Sequence, residues 1–170
     1  MGLNSLSTEK GLVSQLPPAR FRSVLDATPL VSIDLVVVRS GMVLLGKRLN
    51  RPAQGFWFVP GGRVFKGERL QNAFRRLTLN ELGVELLYES GRSLGIYEHF
   101  YNDSIFGEYP STHYLAIGSL VHLEKPLVNL PKEQHESYRW WSIDEALASL
   151  EVHSYTKDYI KTLSNILDSE

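Results

Sequence analysis

Residues 62–84 read GRVFKGERLQNAFRRLTLNELGV, and this stretch decides how the rest of the chain is interpreted. It opens at a glycine turn, and apolar residues then recur at helical intervals between Glu68 and Leu82. That spacing predicts an amphipathic helix that ends at Gly83, a residue typical of helix C-terminal caps. Positions 77, 80 and 81 share one face of the predicted helix. Free backbone groups at such a turn favour an anion or a metal ion beside that face.

The sequence on both sides of this helix predicts a mixed sheet. Runs of β-branched and apolar residues are typical of strands, and they fall at 30–38, 42–48, 56–59, 94–101, 112–123 and 138–143. Further helices are predicted after Pro17-Pro18, after the capping box that begins at Ser142, and at the end of the chain. The order predicts one α/β (α+β) domain over residues 17–170, a mixed β-sheet sandwiched between helices, after a flexible leader at 1–16.

The composition of the 170-residue chain limits the kind of protein it can be and the partners it can bind. Hydrophobic residues make up 43% and charged residues 22%, which is typical of a compact globular domain. The absence of cysteine excludes thiol catalysis and fits a reducing compartment, so we expect a cytoplasmic protein. With 18 basic and 19 acidic residues, the chain has no general basic field for nucleic acid. Residues 1–20 contain no apolar run long enough for a membrane span. The expected partner is therefore a small molecule.

The 62–84 stretch resembles the Nudix box, G-x5-E-x7-R-E-U-x-E-E-x-G-U, in which U is apolar. Six positions of the chain match it at the required spacing: Gly62, Glu68, Arg76, Glu81, Gly83 and Val84. An ordinary surface helix between two glycine turns is the alternative interpretation, with far fewer fixed positions to satisfy. The resemblance implies the Nudix fold and a hydrolase.

The departures from the box concern its metal-binding face. Where an ordinary Nudix enzyme has three glutamates, this chain has Leu77, Asn80 and Glu81. One carboxylate cannot hold a cluster of two or three Mg²⁺ ions, because each ion takes about six hard oxygen ligands. We therefore expect one Mg²⁺ per subunit, with Mn²⁺ as an alternative. Its ligands would be Glu81, a backbone carbonyl at Gly61 or Gly62, and phosphate oxygens of the substrate.

The same substitutions make the chain similar to the GDP-mannose mannosyl hydrolases, a Nudix subfamily. The resemblance covers about residues 28–151 and includes TPLVSIDLVVV (28–38), LLGKRLNRPAQGFWFVPGGRV (44–64), YEHFYND (97–103), STHY (111–114) and EQHESYRW (133–140). It implies hydrolysis of GDP-mannose or GDP-glucose to GDP and free sugar, by attack of water at the anomeric carbon with inversion. It also implies a homodimer, with residues 17–29 near the nucleotide site of the partner subunit.

The resemblance assigns a general base and a further metal ligand to one segment. His135, in the polar segment EQHE, matches the family's general base, and an imidazole that titrates near about pH 6.5 suits that role. Gln134 matches a metal ligand from the same segment, which we expect to be a loop. The alternatives are a surface histidine and an exposed loop glutamine.

The resemblance also assigns the residues that surround the substrate. Arg48, Arg63 and Arg76 match the cationic groups that contact the diphosphate, where guanidinium forks suit phosphate oxygens. Tyr114 matches a tyrosine that donates a hydrogen bond to the leaving phosphate, and Asp34 matches an acid beside the sugar hydroxyls. The alternatives are solvated arginines, a structural ion pair for Arg76, a core tyrosine and a buried hydrogen-bond anchor at Asp34.

Two further residues are candidates for substrate binding. His99 shares a strand face with Tyr101, although a core histidine would show the same pattern. Lys47 adjoins Arg48, although strand alternation directs it to the opposite face. Two other functions stay open: an ordinary Nudix pyrophosphohydrolase that cleaves P–O bonds, and a degenerate domain that binds a nucleotide-sugar or a protein without catalysis.

Overall fold

The structure, a computed structural model, describes residues 16–133 and 135–167. Its helices are Pro18–Ala27 (α1), Leu70–Leu82 (α2), Ile143–Ala148 (α3) and Ser154–Leu167 (α4). Its strands are Leu30–Arg39 (β1), Met42–Arg48 (β2), Trp57–Phe58 (β3), Gly61–Arg63 (β4), Gly91–Tyr101 (β5), Thr112–His122 (β6) and His135–Ser142 (β7), and a short 3₁₀ helix spans Tyr88–Ser90. The predicted leader at 1–16 lies outside the described residues except for Leu16.

The strands form one mixed sheet, as predicted. Its order is β3-β2-β1-β6-β5, while β4 pairs with β1 and β7 pairs with β2. β1 and β6 are parallel, and the other pairs are antiparallel. A parallel pair needs a long crossover connection, and the segment that contains α2 and β5 provides it.

β1 is buried on both sides because helices cover both faces of the sheet. Ile33, Leu35 and Val37 pack in one apolar cluster with Phe74 and Leu77 of α2. The intervening residues Val36 and Val38 belong to a second cluster with Tyr159, Ile160 and Leu163 of α4. Burial of each large apolar side chain contributes roughly 1.5–3 kcal/mol. The expected α/β sandwich is therefore confirmed. None of the described helices is both long and apolar enough to cross a membrane.

Several boundaries differ from the sequence-based expectation for local reasons. Helix α2 begins at Leu70 rather than at Glu68, whose side chain accepts a hydrogen bond from the backbone N–H of Phe65 at 3.0 Å. The capping box before α3 is confirmed, since Ser142 Oγ accepts from the backbone N–H of Glu145 at 3.2 Å. The last strand begins at His135, three residues before the predicted start.

The expectation that His135 lies on a polar loop is therefore wrong. His135 is the first residue of β7, pairs with Arg48 of β2 and is 1% exposed. Gly46 makes this burial feasible, because a Cβ atom at that position would lie 2.3 Å from Cδ2 of the imidazole. The ring thus occupies space against β2 that another side chain would take.

Candidate active site

A cavity of about 540 Å³ lies over the sheet face that carries Asp34, with walls from α1, α2 and the strand ends. Its volume is within the range of about 300–1,000 Å³ that small-molecule sites occupy. The charged side chains that line it, among the described residues, are four arginines and two carboxyl groups: Arg48, Arg51, Arg63, Arg76, Asp34 and Glu81. The excess of guanidinium groups favours an anionic ligand.

The predicted glycine turn is instead the short strand β4, and its backbone lies at the cavity wall. Gly61 and Gly62 both line the cavity and pair with Asp34 and Ile33 of β1. A Cβ atom at Gly61 would lie 2.5 Å from the carbonyl oxygen of Ile33, and one at Gly62 would lie 2.7 Å from Leu77 Cδ2. Glycine at both positions therefore lets β4 lie close to β1 and α2.

The predicted face of α2 points into the cavity. Leu77, Asn80 and Glu81 all line it, and Glu81 is 3% exposed. Burial raises the pKa of the Glu81 carboxyl group to about 7, although the nearby Arg48 opposes the shift. Carboxylate and carbonyl oxygens are the ligands that Mg²⁺ prefers, so Glu81 and the backbone of Gly61 fit one such ion. Gln134, the third expected ligand, lies outside the described residues.

Asp34 belongs to a buried polar network that links the cavity to α4. The hydroxyl of Tyr159 donates to Asp34 Oδ2 at 2.8 Å, and His99 Nε2 lies 3.3 Å from the same hydroxyl oxygen. Burial raises the pKa of Asp34 to about 6, with the Tyr159 hydrogen bond and Arg48 acting in the opposite direction. Burial also lowers the pKa of His99 to about 4, so this imidazole is neutral at physiological pH.

The remaining walls of the cavity combine aromatic rings with guanidinium groups. The Arg63 guanidinium lies 4.0 Å from the ring centre of Phe21 in α1, within the range of a cation–π contact. Phe58 and Tyr101 also line the cavity. Tyr114 does so as well, whereas the adjacent His113 stacks on Phe100 at 4.3 Å on the other face of the sheet. The expected alternation of these two residues is confirmed.

Helix α1 closes one side of the cavity through contacts with its own chain. Phe21 and Leu25 line the cavity, and Phe21 also packs against Phe106 in the β5–β6 loop. The hydroxyl of Tyr109, from the same loop, donates to Asp26 of α1 at 2.5 Å. Residues 17–29 were expected near the nucleotide site of a partner subunit. In this chain, Phe21 and Leu25 of that segment form part of the wall of its own cavity.

The family follows from a match that spans most of the chain. A model of the NUDIX domain fits residues 28–163. The chain belongs to the Nudix family. Its fold is that of a hydrolase, and Nudix hydrolases generally use divalent metal ions such as Mg²⁺.

Similar proteins agree with this Nudix assignment. The low-salt glycan biosynthesis protein Agl8 of Haloferax volcanii is 38% identical over 150 residues, which cover 88% of this chain and 92% of that protein. A MutT NUDIX hydrolase from Burkholderia pseudomallei has a TM-score of 0.66 at 25% identity, covering 80% of this chain and 98% of that structure. The NUDIX domain of Shewanella oneidensis NrtR, solved with ADP ribose, has a TM-score of 0.64 at 17% identity, covering 89% and 99%, and shares the fold.

The Nudix-box arginine is engaged in an ion pair. Arg76 donates two hydrogen bonds of 2.8 Å to the carboxylate of Glu68 and a third, also of 2.8 Å, to the carbonyl oxygen of Arg63. Its guanidinium lies 4.0 Å from the ring centre of Phe65. These contacts hold β4 against α2, so the structural alternative for Arg76 applies even though the residue also lines the cavity.

Two predicted residues lie elsewhere in this Nudix domain. Lys47 is not among the described residues that line the cavity, because its neighbour Arg48 faces that side and consecutive strand residues point to opposite faces. His135 is likewise absent from that lining and lies behind Glu81, with 3.9 Å between its Nδ1 and Glu81 Oε2. Glu81 also lines a second cavity of about 410 Å³, beside Tyr138 and Glu133.

Tyr159 and Glu133 are among the site residues that the sequence did not reveal. Tyr159 has the helical spacing of an ordinary core residue in α4, and nothing local signals its bond to Asp34. Glu133 stands in the EQHE segment beside the predicted base, and its charge acts to raise the pKa of Glu81 after the larger effect of burial. Proximity of Glu133 to the box glutamate is visible only once β7 pairs with β2.

Proposed function

We propose that this Nudix domain hydrolyses GDP-mannose or GDP-glucose to GDP and free sugar, with water attacking the anomeric carbon and inverting it. The observation that carries the proposal is the cavity face of α2, which presents Leu77, Asn80 and a single carboxylate, Glu81. Attack at phosphorus by metal-bound water needs more carboxylates than this face supplies. Cleavage of the sugar C–O bond needs charge stabilisation on a diphosphate leaving group instead.

The arginines in the cavity support stabilisation of a diphosphate leaving group. Arg48 and Arg63 line the same cavity as Glu81. Arg48 Nε donates to the carbonyl oxygen of Pro52 at 2.8 Å, and the Arg63 guanidinium lies over Phe21, so neither of these contacts neutralises an arginine charge. Guanidinium groups bind phosphate oxygens through paired hydrogen bonds and stay charged at physiological pH. In this proposal they neutralise the departing GDP, while Arg76 keeps the backbone of Arg63 in β4 in place.

One divalent ion is part of the proposal. Glu81 and the carbonyl of Gly61 would hold Mg²⁺ or Mn²⁺, and Gln134 remains a proposed third ligand. When bound, the ion supplies positive charge to the diphosphate oxygens. The protein's own contribution is to bring the Glu81 carboxyl group, the backbone of Gly61 and Arg48 to the lining of one cavity.

The part of the cavity near Asp34 and His99 is suited to bind the hexose of the substrate. Asp34 and His99 can accept or donate hydrogen bonds to sugar hydroxyls, and Tyr114 can donate one to the β-phosphate. Phe58 and Tyr101 provide apolar ring surface beside these groups. The relative Agl8 is named for glycan biosynthesis, a process that consumes activated sugars, and this supports a nucleotide-sugar substrate.

His135 is the proposed general base. Burial lowers the pKa of this imidazole to about 4, with the charge of Arg48 acting in the same direction, so the ring is neutral at physiological pH. Its Nε2 atom is buried and has no hydrogen-bond partner among the described residues. A neutral ring with an uncommitted nitrogen has the protonation state that a general base needs, and general-base catalysis contributes about 10²–10⁴-fold in rate.

Hydrolysis in H₂¹⁸O tests the reaction class. With GDP-mannose, GDP-glucose and other nucleotide-sugars as substrates and Mg²⁺ present, label in the free sugar supports the proposal. Label in a phosphate product would establish the ordinary pyrophosphohydrolase, and binding without turnover between about pH 6 and 9.5 would establish a non-catalytic domain. The proposed homodimer is tested separately by sedimentation with and without GDP.

A further inference from the structure

The environment of His135 specifies which ring nitrogen carries the proton. His135 Nδ1 lies 3.0 Å from the hydroxyl oxygen of Tyr138. That hydroxyl in turn donates to the carbonyl oxygen of Pro131 at 2.8 Å. A carbonyl oxygen can only accept, and a tyrosine hydroxyl has one proton to give. Because the Tyr138 proton points to Pro131, its oxygen is left as an acceptor for His135.

We propose that Tyr138 is a positioning residue that holds neutral His135 in the tautomer with hydrogen on Nδ1, leaving the lone pair on Nε2. In this arrangement Nδ1–H donates to Tyr138, and both bonds of the chain from His135 to Pro131 are satisfied. The opposite tautomer would place two acceptors, Nδ1 and the Tyr138 oxygen, face to face. It would also leave a buried N–H at Nε2 without an acceptor among the described residues.

Two other contacts support the same orientation of the ring. Glu81 Oε2 lies 3.9 Å from Nδ1, so the acidic side chain is on the protonated edge. On the opposite edge, a Cβ atom at Gly46 would lie 2.9 Å from Nε2. The ring therefore lies in the space that a side chain at position 46 would occupy. Tyr138 contacts one edge of the imidazole, and the backbone of Gly46 lies against the other.

This inference rests on the proposed role of His135, although its first test needs no substrate. Protein labelled with ¹⁵N-histidine is examined by long-range ¹H–¹⁵N correlation at a pH where the ring is neutral, and His135→Gln assigns the signals. We expect a pyrrole-type shift for Nδ1 and a pyridine-type shift for Nε2. A pyridine-type Nδ1 in the wild-type protein would overturn the proposal without any variant having to fold.

Tyr138→Phe keeps the ring and removes only the hydroxyl. We expect the proton to move partly or wholly to Nε2, and kcat to fall about 10- to 10²-fold with KM nearly unchanged, because the rate loss comes from a misplaced base. Tyr97→Phe is the matched control, since its hydroxyl donates to Thr162 Oγ1 at 2.9 Å, away from His135. An unchanged tautomer in Tyr138→Phe would refute the inference.

The kinetic outcomes separate this inference from the proposed function. Full activity of His135→Gln would remove the base assignment, while the wild-type spectrum would still decide the tautomer. If His135→Gln loses activity but Tyr138→Phe keeps both kcat and the tautomer, the base assignment stands and the role of Tyr138 is wrong.

Discussion

The hydroxyl of Tyr159 donates a hydrogen bond of 2.8 Å to Asp34 Oδ2, across 125 positions of the chain. The bond joins α4 to β1 and places a C-terminal residue behind the proposed sugar subsite. Asp34 and Tyr159 are both buried, so the hydroxyl is a principal source of polar compensation for the Asp34 carboxyl group.

Loss of this bond should destabilise the protein in a pH-dependent way. Tyr159→Phe is expected to lower the free energy of unfolding by about 1–3 kcal/mol, since a buried acceptor loses its donor. The loss should be larger at about pH 8, where Asp34 is ionised, than at about pH 4, where it is protonated. Urea denaturation at both pH values measures it. Tyr97→Phe should show a smaller loss that does not change with pH.

Asp34→Asn should stabilise the metal-free protein at alkaline pH while lowering activity. The pKa of Asp34 is 3.8 in the unfolded reference and about 6 after folding, so its stabilising contribution is full below about pH 4 and lost as the pH rises through 6. The variant should therefore gain up to about 3 kcal/mol over wild type between about pH 4 and 8. Urea titrations without divalent metal check this, and a pH-independent difference would contradict it.

Consecutive arginines on α2 should respond very differently to truncation. Arg76→Ala removes a half-buried pair with Glu68 and a hydrogen bond to the carbonyl oxygen of Arg63 in β4, so we expect a loss of about 2–3 kcal/mol in stability and a clear loss of turnover. Arg75→Ala removes an exposed pair with Glu85, which should cost less than about 1 kcal/mol. Thermal unfolding and kcat report both. Equal effects of the two substitutions would mean that the Arg76–Glu68 pair does not hold β4 in place.

Metal binding at the cavity face of α2 should depend mainly on the side chain of Glu81. Glu81→Gln is expected to raise the Mg²⁺ concentration needed for half-maximal activity by at least about 10²-fold, since even loss of a group that only supports a ligand costs 10–100-fold. Asn80→Ala, one position earlier and also at the cavity, should change it little. Activity titrated with Mg²⁺ and calorimetric binding of Mn²⁺ provide the measurements. If the two variants behave alike, Glu81 is not the principal ligand.

The sequence predicted the strands other than β4, the face of α2 and the alternation of His113 and Tyr114, because these follow from local periodicity. It did not predict the burial of His135, which depends on pairing with Arg48 and on the space that Gly46 leaves. The partnership of Asp34 with Tyr159 was also hidden, since it joins the two ends of the domain. Local sequence patterns thus located the strands and the helix that form the site. The burial and hydrogen bonds of its side chains depend on contacts between distant segments.

The parallel ladder between β1 and β6 has a consequence for how the gene can vary. Asp34 and Tyr114 reach the cavity because nine consecutive pairs, from Leu30 with Tyr114 to Val38 with His122, keep alternate residues on that side. Insertion or deletion of one residue within either strand would turn every following side chain to the opposite face. Changes in length are therefore better tolerated in a connection such as 102–111, where homologous chains can diversify the rim of the site without changing the register of its strands.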